Sequence, residues 1–452
     1  MRPSVVVVGA GISGLSLAYR LRDTADVTVL EASNRPGGCI HTDRADGFTV
    51  ECGPNGFLDS KPSTLALARD VGLNDQLLAA SESSRKNRFL FVHGRLQPLP
   101  GGLSALVRSP LLSVRGKLDL LAEPFRTRRH GCGPESVAAF ARRRVGREAT
   151  ATLIDALVTG IHGGDPELLD VRAAFPRMTA FEAESGSVVR GMMRAAKQRR
   201  AAGLSQQRMW SFAEGLGTLT DALAARTTVR YGVVVRRIEA TRDGWLAFDE
   251  GGDSWAADAL VLACPAYAAA PTVNSFDNEL AELLGGIAYN GIAVVALGYR
   301  AREVPRNDDG FGYIAPQASR RDLLGVQWCS TIFPGRAPEG CVLWRALCGG
   351  WHRPDVVAWP DERLVAAVRH ELQLAQGVTA EPIFCRVVRL QRAIPQYLLG
   401  HPERVARIET RVAHHPGLFL TGNALHGVAI NDCTERAESV AARVTEYLCH
   451  RR

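Results

Sequence analysis

Five glycines, one acid and one arginine near the start of the chain carry its most legible chemistry. Gly9-Ala10-Gly11-Ile12-Ser13-Gly14 follows the β-branched run Val5 to Val8 and leads into Leu15 to Leu21, which has helical spacing. That spacing suits a pyrophosphate: Gly9 permits a tight bend, Gly11 lets backbone approach the phosphates, and Gly14 lets the helix pack on the strand. The helix then aims its N-terminal amides, from Ile12 and Ser13 onward, and the positive end of its dipole at the anion. A second run, Val27 to Leu30, ends at Glu31, whose carboxylate can accept hydrogen bonds from a ribose diol. Strand, turn, helix, strand and acid in this order predict a dinucleotide site, not glycines used for packing alone.

The seven residues after Glu31 narrow the ligand. Ala32-Ser33-Asn34-Arg35-Pro36-Gly37-Gly38 adds a basic residue and a second glycine pair, for which a nicotinamide site has no general need. The stretch resembles the extended fingerprint of FAD-binding oxidoreductases of the glutathione-reductase and amine-oxidase type. That resemblance implies non-covalent FAD, with Glu31 and Ala32 at its ribose and Arg35, Gly37 and Gly38 along its diphosphate.

The elements that must position this site are those of a sizeable globular chain. It has 452 residues, of which 46% are hydrophobic and 22% charged, so two or three domains are expected. The ten cysteines, Cys132 among them, include no CxxC pair, so neither a zinc site nor a disulfide framework is indicated, and reduced thiols in a cytoplasmic protein are expected. The first residues read as a buried strand, which leaves no room for a signal peptide, and no apolar run approaches the roughly 18 residues of a membrane span. Between residues 101 and 207 there are 17 Lys and Arg against 10 Asp and Glu, an excess equal to the net +7 of the whole chain. Such concentration predicts an anionic surface as partner, and no nucleic-acid motif accompanies it.

In chain order, Gly47 to Phe57 reads as a strand entering a loop in which Gly53, Pro54 and Asn55 bring backbone close to a flat ring. Residues 61–79 read as an amphipathic helix, and Arg88 to Leu99 as a hairpin around His93-Gly94-Arg95. Residues 101–200 read as almost wholly helical, with Leu103, Leu106, Leu111, Leu112, Leu118, Leu120 and Leu121 interleaved with arginines. That composition suits an interfacial surface as well as it suits an ordinary helical insertion with a basic face. Strands are expected at 229–238, 245–248 and 259–263, mixed β structure with two helices over 271–411, a strand meeting Gly422-Asn423, and a last helix over 435–447. The fold class is α/β: an interrupted Rossmann-like FAD domain (1–80, 208–270, 412–452), a mixed-sheet substrate lobe (81–98, 271–411) and a helical basic insertion (99–207).

Six further stretches bear on function: Gly53-Pro54-Asn55-Gly56-Phe57-Leu58, Asn87-Arg88-Phe89-Leu90, Thr159-Gly160-Ile161-His162-Gly163-Gly164-Asp165, Gly310-Phe311-Gly312-Tyr313, Ile394 to His401 (IPQYLLGH) and Gly422 to Cys433 (GNALHGVAINDC). Together, over nearly the whole chain, they resemble the oxygen-dependent protoporphyrinogen oxidase family. The resemblance implies six-electron oxidation of a porphyrinogen with oxygen as acceptor, a peripheral attachment of the helical insertion to the inner face of the cell membrane, and a homodimer. It also implies that Arg88 pairs with a substrate propionate and that Phe311, Ile314 and Leu347 surround the macrocycle. By the same resemblance the Gly160 carbonyl faces the pyrrole N–H groups, Val235 lies at the adenine, and Gly422, Asn423, Val428, Ala429 and Ile430 lie at the flavin. No metal and no dedicated acid–base pair is expected, because the flavin carries the redox chemistry.

Some positions depart from the family pattern. Gln327 and Trp328 stand where a smaller, more apolar pocket lining is expected, and His162 and Gly163 replace an aromatic and an alanine. His426 reads as a surface or packing histidine. A related branch of the family oxidises coproporphyrinogen III, which has four propionates; Arg88 in its Asn-Arg-Phe setting favours the two-propionate substrate. Amine oxidases and carotenoid desaturases share the FAD fingerprint but lack the last two motifs. A GDP-dissociation-inhibitor-like binding protein keeps the fold without the flavin, and the intact Glu31 and Gly37-Gly38 argue against it.

Overall fold

The structure is a computed structural model that describes residues 2–451 except 130, 132, 202–206 and 306–307; Cys132 and the side chain of residue 103 therefore lie outside the described residues. Its first body is built on a five-stranded parallel sheet in the order Thr228–Tyr231, Asp26–Glu31, Ser4–Val8, Ala259–Leu262, Leu418–Leu420. A parallel sheet is covered on both faces, which is why its central strand is an unbroken run of valines. One face packs the helices Ile12–Leu21, Gly217–Ala224 and Ile430–His450. The other packs an antiparallel three-stranded sheet (Val235–Thr241, Gly244–Asp249, Ser254–Ala257) and the helices Ala266–Val273, Asn278–Gly285 and His401–Ala413.

Several elements differ from the sequence reading. The single strand expected over 229–238 is two, because the chain turns at Gly232 (φ +74°) and leaves the parallel sheet for the antiparallel one. The helix expected over 61–79 stops at Asp70, before Gly72 (φ +78°), and residues 77–79 form a short strand. The last helix starts earlier and ends later than expected, at Ile430 and His450. The helices Asn278–Gly285 and His401–Ala413 bury Leu280, Leu284, Val405, Ile408 and Val412 against the parallel-sheet body, not against the second lobe.

The second lobe is a seven-stranded mixed sheet: Phe384–Pro395, Tyr289–Arg300, Cys341–Gly349, Leu323–Gln327, Gly312–Ile314, Phe89–Val92, Arg95–Pro98. Alternate residues of these strands, among them Tyr299, Tyr313, Val326, Trp344 and Ala346, pack under the helix Asp361–Gln376. The opposite face turns toward Phe48 and Val50 of the first body and toward the helical insertion. A mixed α/β fold with a mixed second sheet is thus what the chain adopts.

The insertion is helical. Its centre is a buried ion pair, Arg144 (1% exposed) with Glu123 (0% exposed). Glu123 also accepts hydrogen bonds from Ser187 Oγ at 2.5 Å, Val188 N at 2.9 Å and Val189 N at 3.2 Å. The continuous helix Arg147 to His162 crosses it and contains one π turn, Thr150–Ile154. Such turns recur where a helix carries function.

Candidate active site

The glycine turn has the geometry its spacing predicts. Gly9 has φ +106°, and a Cβ on Gly14 would lie 2.0 Å from the Gly9 carbonyl oxygen, so only glycine allows the helix this close to the strand. Over Gly11 there is nothing within 4 Å of where a Cβ would stand. The helix behind it has no side-chain cap at Gly11, although Ile12 and Ser13 are buried. Open space in front of uncapped, buried amides is what a diphosphate requires. Gly37 is bridged to Gly11, its N–H donating to the Ala10 carbonyl at 2.8 Å. Glu31 ends its strand with Oε2 accepting from Ala10 N at 2.6 Å and Oε1 from Ser33 N at 2.9 Å. Ala32 is exposed beside it. Arg35 donates to the carbonyls of Gly38 at 2.9 Å, Pro36 at 3.0 Å and Ile40 at 3.3 Å, so its guanidinium shapes the glycine loop from within. Val235 is buried with Val8 and Leu30 in the core beneath the Glu31 end of the sheet.

The loop Gly53-Pro54-Asn55 is held by a residue 292 positions beyond Gly53 in sequence. Arg345, 3% exposed, donates to the carbonyls of Glu51 at 2.7 Å and Gly53 at 2.9 Å. Glu51, 2% exposed, accepts from Leu216 N and Thr42 Oγ1 at 2.8 Å each and pairs with the buried Arg336 at 3.3 Å. Burial pushes the Glu51 carboxyl up, against the pull of Arg336. Asn55 is buried, and its Nδ2 has no partner among the described residues. On the returning chain, Tyr397 Oη donates to the Asn423 carbonyl, and nothing stands within 4 Å of the Cβ position of Gly422. Val428 and Ala429 then lead into the helix that starts at Ile430, where Asp432 Oδ2 accepts from Ala429 N at 3.2 Å. Motif spacing alone does not reach the roles of Glu51, Arg336, Arg345 and Tyr397. One signal exists: an arginine inside the apolar strand run Leu343-Trp344-Arg345-Ala346 must find buried acceptors.

The residues expected around a substrate meet on the inward face of the second sheet. Phe89 and Leu90 pair in parallel with Tyr313 and Ile314, and the Phe311 N–H donates to the Asn87 carbonyl at 2.9 Å. Asn87 Nδ2 donates to the Asp309 carbonyl at 3.0 Å. Arg88 is exposed, with its guanidinium 4.9 Å from the centre of the Phe311 ring and no carboxylate beside it among the described residues. Surrounding protein nevertheless depresses its pKa by desolvation. Gly160 lies against Ile314, since a Cβ there would stand 2.7 Å from Ile314 Cδ1. Leu347 faces Gly325 across the neighbouring strand pair and packs with Leu324 and Ile292. Leu157 (39% exposed) and Ile161 (42% exposed) flank Gly160 on the open side of its helix, a pair the i, i+4 spacing would have revealed.

Three residues fix that helix, of which only Gln396 belongs to one of the motifs. Asn290 Nδ2 donates to the carbonyls of His162 at 2.8 Å and Gly163 at 2.9 Å, and Gln396 Nε2 donates to His162 O at 3.0 Å. Arg320 donates to Thr159 Oγ1 at 2.5 Å and to the Ala315 carbonyl at 3.1 Å, with Asp155 at 3.6 Å. The His162 ring is buried between Phe175 and Tyr397, and burial drives its pKa down to about 4, so it is neutral at physiological pH. Trp328 is fully buried, with Nε1 donating to Gln376 Oε1 at 3.2 Å; it is core of the second lobe and lines no pocket. His426 pairs at the surface with Glu409 at 3.1 Å. Among the described residues there is no cluster of potential metal ligands.

Known proteins are similar to this chain over nearly its whole length. A chloroplastic protoporphyrinogen oxidase of Nicotiana tabacum is 32% identical, over 98% of this chain and 85% of its own. A coproporphyrinogen III oxidase of Staphylococcus aureus is 30% identical over 99% of this chain and 100% of its own. A solved Exiguobacterium protein, described as a candidate protoporphyrinogen oxidase, superposes with a TM-score of 0.83 at 25% identity over 99% of each chain. Putrescine oxidase shares the fold at a TM-score of 0.72 and 15% identity, over 98% of this chain and 99% of its own. The flavin-containing amine oxidoreductase model matches residues 12–445, a span that runs from the first glycine helix to the last helix of the first body. With an open diphosphate cradle at Gly11, an acid at Glu31 and a returning wall at Gly422, the chain belongs to that flavin-dependent family of oxidoreductases.

Proposed function

We propose that the chain is an FAD-dependent oxidase that converts protoporphyrinogen IX to protoporphyrin IX, removing six electrons and six hydrogens from one bound macrocycle. The observation that carries this reading is Arg88. It is an exposed cation over the Phe311 ring, at the start of a strand that leads directly to the apolar surface of Ile314 and Gly160. A porphyrinogen presents an apolar rim, inward N–H donors and carboxylates, and this arrangement complements all three. When bound, FAD supplies the hydride acceptor and passes the electrons to oxygen as hydrogen peroxide, three times per macrocycle.

The chain's own residues orient and enclose. Arg88 holds a propionate at the rim, while Phe311, Ile314 and Leu347 exclude water from the macrocycle faces. The Gly160 carbonyl, on a helix end fixed by Asn290 and Gln396, accepts from pyrrole N–H groups. Gly9, Gly11, Ile12, Ser13, Gly14, Gly37 and Gly38 hold the diphosphate, with Arg35 keeping the loop in shape. Glu31 and Ala32 hold the ribose, and Val235 supports the adenine end. Gly53, Pro54, Asn55, Gly422, Asn423, Val428, Ala429 and Ile430 form the walls of the flavin.

Arg88→Ala is expected to raise KM for the porphyrinogen about tenfold or more while the flavin stays bound, the loss typical of a charge-assisted hydrogen bond. Porphyrin fluorescence gives the turnover and visible absorbance the flavin content. An unchanged KM would remove Arg88 from the substrate site. The second reading, oxidation of coproporphyrinogen III, is supported by relatives of that name in Staphylococcus aureus and Bacillus subtilis that also match the whole chain. Parallel assays with both porphyrinogens decide, and preference for the four-propionate substrate would replace the first reading by the second.

The helical insertion is the proposed attachment to the cytoplasmic face of a membrane. Val114 (75% exposed), Leu118, Phe125 (82% exposed) and Met193 are apolar and open to solvent, with Arg190 6.0 Å from the Phe125 ring. Leu111 and Leu112, in contrast, are buried. No helix among the described residues is long and apolar enough to cross a membrane. Co-sedimentation with phosphatidylglycerol vesicles, weakened by salt and absent with phosphatidylcholine, is the expected result; equal recovery in the supernatant with both would end this proposal. The chain is further proposed to act as a homodimer with oxygen as its acceptor, read by light scattering and by an oxygen electrode; a monomer mass or anaerobic turnover would each count against it.

A further inference from the structure

We infer that Gln327 is a substrate-binding residue, whose carboxamide accepts a hydrogen bond from a pyrrole N–H of the macrocycle; this rests on the porphyrinogen reading above. Strand phase gives the direction of its side chain. Val326 and Trp328 are both buried under the helix Asp361–Gln376, so Gln327 between them points to the opposite, inward face. Its cross-strand neighbours are Gly312 on one side and Arg345 on the other. Arg345 reaches the Glu51 and Gly53 carbonyls on that same face, beside the loop at the flavin wall. Gly312 leaves the other side clear: its Cβ position is only 3.0 Å from Gln327 Cα and 2.0 Å from the Val326 carbonyl oxygen, so no side chain fits there. The carboxamide thus projects between the strand of Ile314 and the strand of Leu347.

Gln327 Oε1 is buried and has no hydrogen-bond partner among the described residues. A buried amide oxygen without a partner calls for an explanation, and on the face shared with Ile314 and Leu347 a bound hydrogen-bond donor supplies one. The macrocycle of a porphyrinogen offers four N–H donors and no acceptor, so a pocket that grips it by its polar centre must supply acceptors. Gly160 offers a backbone carbonyl from one helix, and Gln327 offers a side-chain carbonyl from the sheet. Rotation about the last side-chain bond exchanges the amide oxygen and nitrogen, and a macrocycle that offers only N–H donors selects the orientation with the oxygen toward it. An aliphatic residue of equal size could line the cleft and not bind its polar centre.

The test uses the flavin-loaded full chain with Gln327→Met, which keeps length and removes the acceptor, and Gln327→Leu as the second variant. Both are expected to raise KM about tenfold with kcat within twofold, because a hydrogen bond made equally to ground and transition states is lost. Flavin content is expected to be unchanged and Tm unchanged or raised, since no protein partner is stranded. A KM within twofold of the parent would overturn the assignment while leaving the porphyrinogen reading intact. A lower Tm with lost flavin in both variants would make Gln327 a framework residue and overturn it equally. If the parent protein turns over neither protoporphyrinogen nor coproporphyrinogen, the porphyrinogen reading fails and Gln327 falls with it.

Discussion

Gly14→Ala is expected to purify without colour. The added methyl would stand 2.0 Å from the Gly9 carbonyl oxygen and 3.2 Å from the Ala263 side chain, and neither can retreat. Gly9 N is hydrogen-bonded to the Leu30 carbonyl at 2.8 Å, and Ala263 N to the Val8 carbonyl at 2.9 Å, so both obstacles belong to the parallel sheet itself. The helix Ile12–Leu21 must therefore move off the sheet by more than an ångström, and its first amides leave the diphosphate position. Leu15, Leu17, Ala18 and Leu21 are at most 1% exposed and lose packing with it. Overpacking of this kind costs on the order of 1–3 kcal/mol, and the displaced anion site adds to it, so activity should fall more than about a hundredfold. Visible absorbance reports the flavin directly; a variant with a full complement of flavin would show that Gly14 is not the contact this geometry makes it.

The second large effect lies far from the cofactor. Arg144→Met leaves Glu123 buried at the centre of the insertion with its charge uncompensated, a change that costs about 3–5 kcal/mol. Glu123 anchors Ser187, Val188 and Val189, so the helix Val188–Ala201 is expected to detach along with the pair. Replacing both partners, Glu123→Leu with Arg144→Met, should recover most of the loss, because an apolar pair of similar volume strands no charge. The pH dependence arises from the same bonds. Burial raises the Glu123 carboxyl, but hydrogen bonds from Ser187, Arg144 and the two amides outweigh it and leave the pKa lowered. The stabilisation is therefore complete above the unfolded carboxyl range, near pH ~4.3, and is lost as pH falls through the folded value. Denaturant unfolding at neutral and acid pH, followed by circular dichroism, measures both; equal stability of the single variant and the parent would refute the role given to this pair.

The dinucleotide unit is legible in the sequence because its determinants are local. Gly9, Gly11, Gly14 and Glu31 act through spacing within two strands and one helix, and each lies where the spacing places it. Arg345 is hidden for the opposite reason: its acceptors at Glu51 and Gly53 are nearly three hundred residues away, and nothing in the apolar run around it names them. Strand phase conceals the place of Trp328, which is core and not the pocket lining its position suggests. The register shift between Leu323 and Gly325 turns both Leu324 and Gly325 to the inward face, which returns Trp328 to the core and leaves Gln327 alone facing in. The helices at 278–285 and 401–413 have amphipathic sequences, but amphipathicity specifies a buried face and not the sheet that buries it.

The helix from Arg147 to His162 is a lever with a load at each end. At its start, Glu148 grips the Ser113 amide at 2.6 Å and hydroxyl at 2.5 Å, at the base of the helix that exposes Val114 and Leu118. At its end it carries Gly160, pressed against Ile314. The exposed helix of Val114 and Leu118 and the contact of Gly160 with Ile314 are therefore tied to the two ends of one element, and the π turn at Thr150–Ile154 is where its regular α-helical bonding is interrupted.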